Sequence, residues 1–131
     1  QTPMGQHGRI AEHAVRRIRE DGLEPADAWA VMAAELYAET PGLQDRGCAR
    51  AAFLGLCAAG KVRGVAASDC AEPGKDQAYA LRALEILQED LTLAHDQDTL
   101  WRHVLDGRTI RHNAQMDVVC TLFRAGMLAA D

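Results

Sequence analysis

Apolar residues in this chain recur at helical spacing from one end to the other, and no stretch alternates with the period of two that a half-buried strand requires. Ala11, Val15 and Ile18 fall at i, i+4, i+7, and Trp29, Met32, Ala33 and Leu36 at i, i+3, i+4, i+7. Each set lines one side of a helix. Gly22 stops the first helix, and the second begins in EPADAW with Pro25 in its first turn, where a missing N–H costs nothing. The short connection predicts that the two pack antiparallel. Phe53, Leu56 and Cys57 mark a third helix stopped by Gly60, and Ala80, Leu84, Leu87 and Leu91 one face of a fourth within KDQAYALRALEILQED. Asp96 or Asp98 can cap a short fifth around Leu100, Trp101, Val104 and Leu105. Met116, Val119, Cys120 and Phe123 align in a sixth before Gly126. The expected fold is an all-α, compact domain of about six helices, with the third and sixth supplying the central packing.

At 131 residues the chain fits a single domain, residues 1–131, with enough length to bury a core without metal or disulfide staples. Within it AVRRIRED (14–21) echoes ALEILQED (83–90), and LCAAGKV (56–62) echoes LFRAGML (122–128), with Trp29 or Trp101 between the paired segments. This order suggests two pseudo-repeated three-helix halves, about 7–65 and 76–131, packed around a twofold axis. No apolar run approaches the roughly 18 residues of a membrane span, and no secretion signal opens the sequence, so a cytoplasmic location is expected.

The net charge of −5 disfavours a broad electrostatic grip on nucleic acid. Local basic groups, Arg16, Arg17 and Arg19, and Arg108 with Arg111, read first as solvated or acid-paired surface. The acidic pairs Glu20–Asp21 and Glu89–Asp90 fall at helix ends. GKVRGV lacks the preceding pattern of a phosphate-binding loop, and Val62 stands where a magnesium-holding hydroxyl would be needed. No G-x-S-x-G elbow is present.

The four cysteines match no paired zinc spacing. In a reducing compartment they are expected to stay as thiols. If Cys48 and Cys57 share a helix, nine steps of about 100° put them on opposite faces and roughly 13 Å apart along the axis, out of reach of a common metal or disulfide. Cys57 and Cys120 sit within apolar stripes and read as core, and Cys70 falls in a connection. Cys48 differs: it stands at a helix start between Arg46 and Arg50, where N–H groups, dipole and cations favour a thiolate. A lowered pKa is expected for it.

The histidines, His7, His13, His95, His103 and His112, give no i, i+4 pair of the metalloprotease kind, so no metal site and no cofactor is expected. The densest polar stretch is RHNAQMD, where His112, Asn113, Gln115 and Asp117 lead into an otherwise apolar helix. Asn113 can cap that helix and Asp117 can favour its positive end. His112 and Gln115, if they face inward, must find hydrogen-bond partners, as organisers of the core or as the lining of a small-ligand pocket.

RGCARAAFLGLCAAGKVRGV, YALRALEIL and RHNAQMDVVCTLF together resemble a family of small bacterial proteins classed as a domain of unknown function. The likeness runs from about Gly8 to Leu128. It matches at Gly47, Cys48, Phe53, Leu54, Gly55, Leu56, Cys57, His112, Asn113, Gln115, Met116 and Asp117, with Ala49 in place of the family's proline and a different loop at AASDCAEPG. The resemblance implies one domain and no assigned activity.

The leading expectation is a non-catalytic binding or regulatory module, meeting a protein or small-molecule partner around Cys48, His112, Asn113, Gln115 and Asp117. A homodimer fits this reading and a membrane partner does not. One rival is a thiol enzyme with Cys48 as nucleophile and His112 as base, which requires the two side chains to meet. Another is a helix-turn-helix-like nucleic-acid reader using Lys61, Arg63, Arg108 and Arg111, which requires those charges to converge.

Overall fold

The computed structural model describes residues 6–37, 47–67, 74–108 and 114–129. They form α1 (Gln6–Asp21), α2 (Pro25–Leu36), α3 (Gly47–Ala58), α4 (Lys75–Glu89), α5 (Gln97–Leu105) and α6 (Ala114–Arg124), with a 3-10 turn at Leu91–His95. No strand occurs among the described residues; a single antiparallel bridge joins Val62 to Leu128.

The caps follow the sequence. Gly22 takes a φ of 71° after α1 and Pro25 opens α2. Of the two candidate caps for α5, Asp96 takes the role: its carboxylate accepts from Thr99 N at 3.2 Å. The fourth stripe needs a correction at its end. α4 stops at Glu89, the Asp90 carboxylate caps the 3-10 turn by accepting from Thr92 N, and Leu91 is left 62% exposed rather than aligned with Ala80, Leu84 and Leu87. A helix that turned on at Asp90 would have carried Leu91 inward; the side-chain cap offered the backbone a competing bond.

One apolar core runs through the molecule. Trp29 of α2 lies against Phe53 of α3 with ring centroids 5.3 Å apart, and Tyr79 of α4 meets the edge of Trp101 of α5 at 5.2 Å. α6 occupies the centre: it packs on α1, α3, α4 and α5, and Met116, Val118, Val119, Cys120 and Leu122 are buried along it. A helix buried on nearly all sides tolerates few polar groups, so Gln115 and Asp117 on the same helix demand partners.

α3 and α6 end alike. Gly60 N donates to Cys57 O at 3.1 Å and Lys61 N to Leu56 O at 3.0 Å, while Gly126 N donates to Phe123 O at 3.1 Å and Met127 N to Leu122 O at 2.9 Å. In both, a glycine of positive φ closes a Schellman turn. The chains leaving the two helices then pair, Arg63 N to Met127 O at 2.8 Å and Ala129 N to Lys61 O at 2.7 Å.

Candidate functional site

Cys48, Asp76 and Gln115 come from three different helices and each lies in a first turn, of α3, α4 and α6 respectively. The Asp76 carboxylate neighbours the Cys48 thiol closely enough to raise its pKa, and Gln115 Nε2 donates to Asp76 Oδ1 at 2.8 Å. Asp76 is thus the hub of the corner. Cys48 and Asp76 are half-buried, whereas Gln115 is 2% exposed. The cluster runs from the surface inward, with the amide as its floor.

α4 reaches this position because α3 carries a glycine where the two meet. A Cβ on Gly55 would lie 2.6 Å from Gln77 Cβ, and Gln77 Nε2 donates to Gly55 O at 3.1 Å. Any larger residue would push the first turn of α4 away from α3 and separate Asp76 from Cys48.

The expected lowering of the Cys48 pKa is overturned. Burial pushes the thiol up, the neighbouring Asp76 carboxylate raises it further by charge and by hydrogen bond, and Lys75 only partly opposes them. The helix start that was expected to favour a thiolate is worth about 0.3–1 kcal/mol when solvent reaches it. A neighbouring carboxylate in a half-dry corner outweighs that. Of the flanking cations, Arg50 is exposed and does not appear among the influences on the thiol, and Arg46 lies outside the described residues. Cys57 and Cys120 are buried as their stripes require, and burial pushes both to about 12. All three are free thiols; Cys70 lies outside the described residues.

Gln115 Nε2 has its acceptor, but the Oε1 atom is buried with no hydrogen-bond partner. A buried acceptor left unpaired costs about 1–3 kcal/mol, as much as a whole interaction elsewhere in the fold. The alternative orientation of the amide would aim Oε1 at the Asp76 carboxylate, oxygen against oxygen, so the observed one is required by Asp76.

Asp117, two residues on, faces elsewhere. It is 4% exposed, and its Oδ2 accepts from Gly8 N at 2.9 Å while Oδ1 accepts from Gln97 Nε2 at 3.3 Å. Thr121 Oγ1 lies 3.5 Å from Oδ1 and His7 Nδ1 4.0 Å from Oδ2. The expectation that Asp117 serves the positive end of its own helix is therefore too narrow, since it ties α1 and α5 to α6. Cys48 and Gln115 are brought together; Asp117 belongs to a second corner. His112 and Asn113 lie outside the described residues. Asp76 was missed by sequence reasoning, because an acid in a first turn reads as ordinary dipole complementation and nothing local announces its partners.

Several of the basic groups are engaged within the chain, and Arg111 lies outside the described residues. Arg16 pairs with Glu12, Arg17 with Asp21 and Glu35, and the Arg19 guanidinium donates to Arg63 O. Arg63 Nε donates to Leu128 O, and Arg108 lies over the Tyr79 ring at 5.5 Å. Among the described residues no group of three or more His, Cys, Asp or Glu side chains could hold a metal ion, and no helix is long and apolar enough to cross a membrane.

A family model, a family of unknown function (DUF6979), matches residues 4–129, nearly the whole chain. The chain belongs to this family. No curated protein and no solved structure matches it. Membership in DUF6979 extends over both corners and all six helices, so the arrangement around Asp76 lies within the family's domain and not in an appendage.

Proposed function

We propose that this chain is a small non-catalytic binding module whose partner meets the corner of Cys48, Asp76 and Gln115 at the starts of α3, α4 and α6. The observation that carries the reading is the state of Cys48. A half-buried thiol whose pKa is raised by burial and by a neighbouring carboxylate is a poor nucleophile near neutrality, because the thiolate is the reactive species. Gln115 Nε2 holds the Asp76 carboxylate beside it. His112 and Asn113 immediately precede α6 in sequence and belong to the same proposed surface.

The halves 7–65 and 76–131 are proposed to be equivalent, with the Val62–Leu128 bridge on their axis. The matching ends of α3 and α6 favour this. Free thiols at Cys48, Cys57 and Cys120 favour a cytoplasmic setting.

The test is alkylation of the native chain by iodoacetamide across pH, with each cysteine followed by peptide mass spectrometry. Cys48 should react slowly at neutral pH, with a rate still climbing above pH ~9, where an ordinary thiol is already levelling off. Fast reaction at Cys48 that levels off near neutrality would restore the thiol-enzyme reading.

A further inference from the structure

We propose that the corner binds a cationic nitrogen donor, an ammonium or guanidinium group, which places one N–H on Gln115 Oε1 and its charge beside Asp76. This rests on reading the corner as the binding site and names the chemistry it would take.

The acceptors decide the class. The Asp76 carboxylate still has lone pairs beyond the one used by Gln115 Nε2, since a carboxylate offers about four acceptor positions. Gln115 Oε1 is buried and without a donor. Both atoms ask for the same thing, a hydrogen on nitrogen or oxygen, and the carboxylate asks in addition for positive charge. Three helix starts would by themselves draw an anion. An anion here would meet the Asp76 carboxylate and would still leave Oε1 unpaired, so it satisfies neither acceptor. Cys48 and Asp76 are half-buried and Gln115, which donates to Asp76, is fully buried, so the corner passes from partly solvated to dry.

The other corner supplies an internal control. There a buried carboxylate, Asp117, receives donors from Gly8 N, Gln97 and Thr121, all from the chain itself. At Asp117 the fold itself provides the donors. At Gln115 the described residues provide none, and the missing donor is what a ligand would bring.

The experiment uses the full chain labelled with 15N, with the Gln115 side-chain amide assigned by its disappearance in Gln115→Met. It is titrated at constant ionic strength with methylguanidinium, methylammonium, tetramethylammonium and inorganic phosphate. The two N–H donors should move the amide resonance saturably, and tetramethylammonium, which has the charge without the N–H, should not. Asp76→Asn should weaken the response at least ~10-fold, the loss expected when a charge-assisted hydrogen bond of about 1.5–3 kcal/mol is removed. A Gly-Arg-Gly peptide binding ~10-fold tighter than methylguanidinium would identify the source as a protein side chain; equal or weaker binding would identify a free amine, and either supports the donor chemistry. Response to phosphate alone, or to none of the probes, overturns the proposal and leaves the non-catalytic reading standing. A Cys48 that reacts rapidly at neutral pH overturns that reading whatever the amide shows.

Discussion

Two corners of the molecule solve the same packing problem differently. At one, α1 meets α6, and a Cβ on Gly8 would lie 2.7 Å from Asp117 O; at the other, α4 meets α3, and a Cβ on Gly55 would lie 2.6 Å from Gln77 Cβ. Each uses a glycine to bring the first turn of one helix onto another. The first corner is finished, because Asp117 is buried and receives the N–H of Gly8 and the amide of Gln97. The second carries a half-buried carboxylate, a protonated thiol and an amide oxygen with no donor. The difference separates a polar group that holds the fold from polar groups that the fold holds for something else.

The comparison breaks most directly at the carboxylates. Asp117→Ala removes the acceptor of a buried N–H and empties a packed site, so it should cost about 2–4 kcal/mol. Asp76→Ala, at a half-buried position, strands one buried donor, Gln115 Nε2, and should cost about 1–2 kcal/mol, less than Asp117→Ala, which strands two donors and empties a buried site. Urea denaturation of both variants checks this, and equal losses would erase the distinction between the corners.

The glycines come next, and here the corners should agree. Gly8→Ala brings a methyl against backbone, Asp117 O, and against Thr121; Gly55→Ala brings one against the Cβ and Cα of Gln77. The Thr121 hydroxyl could rotate away, but Thr121 Cβ, Asp117 O and the Cβ and Cα of Gln77 cannot swing aside. Overpacking of this kind costs about 1–3 kcal/mol, and both variants should fall in that range by the same denaturation assay. A neutral Gly55→Ala would mean that α4 can draw back from α3 at no cost, and that the Cys48–Asp76 contact is looser than drawn.

The helices were legible because their signals are local: stripes at 3.6 spacing, Pro25 at a start, Gly22, Gly60 and Gly126 at stops. Leu91 was misread because Asp90 could cap as well as continue, and sequence does not say which bond wins. Gln115 and Cys48 could be singled out as polar or reactive groups at helix starts. Their common partner could not, since Asp76 is 28 residues from Cys48 and 39 from Gln115 and joins them only through the packing of α3, α4 and α6. The same reasoning failed on the sign of the Cys48 shift: a nearby helix start is visible in sequence, a carboxylate from another helix is not.

Buried thiols make stability depend on alkaline pH. Cys57 and Cys120 are held up to about 12, against an ordinary thiol value of 9.0 in the unfolded chain. Below the unfolded value both states keep the proton and nothing changes. Above it the unfolded chain ionises first, so stability falls as pH rises toward the folded value, by about 1.4 kcal/mol per pH unit for each thiol. Cys57→Ala with Cys120→Ala should therefore flatten the decline measured between pH 9 and 11, at some cost in packing that is the same at every pH. An unchanged slope would show that the two thiols are not held dry.

The smallest effect is the most informative about the second corner. The Cys48 thiol is raised first by burial and then by Asp76, through charge and hydrogen bond. Asp76→Asn removes the charge and leaves burial in place. The pH at which iodoacetamide labelling of Cys48 reaches half its limiting rate should then move down, yet stay above that of an exposed thiol. Asp117→Asn should leave that midpoint where it is, because Asp117 does not appear among the influences on Cys48. A midpoint that ignores Asp76 would detach Cys48 from the corner and leave burial as the whole cause of its inertness; a midpoint that moves with Asp76 alone establishes that thiol and carboxylate act as one unit.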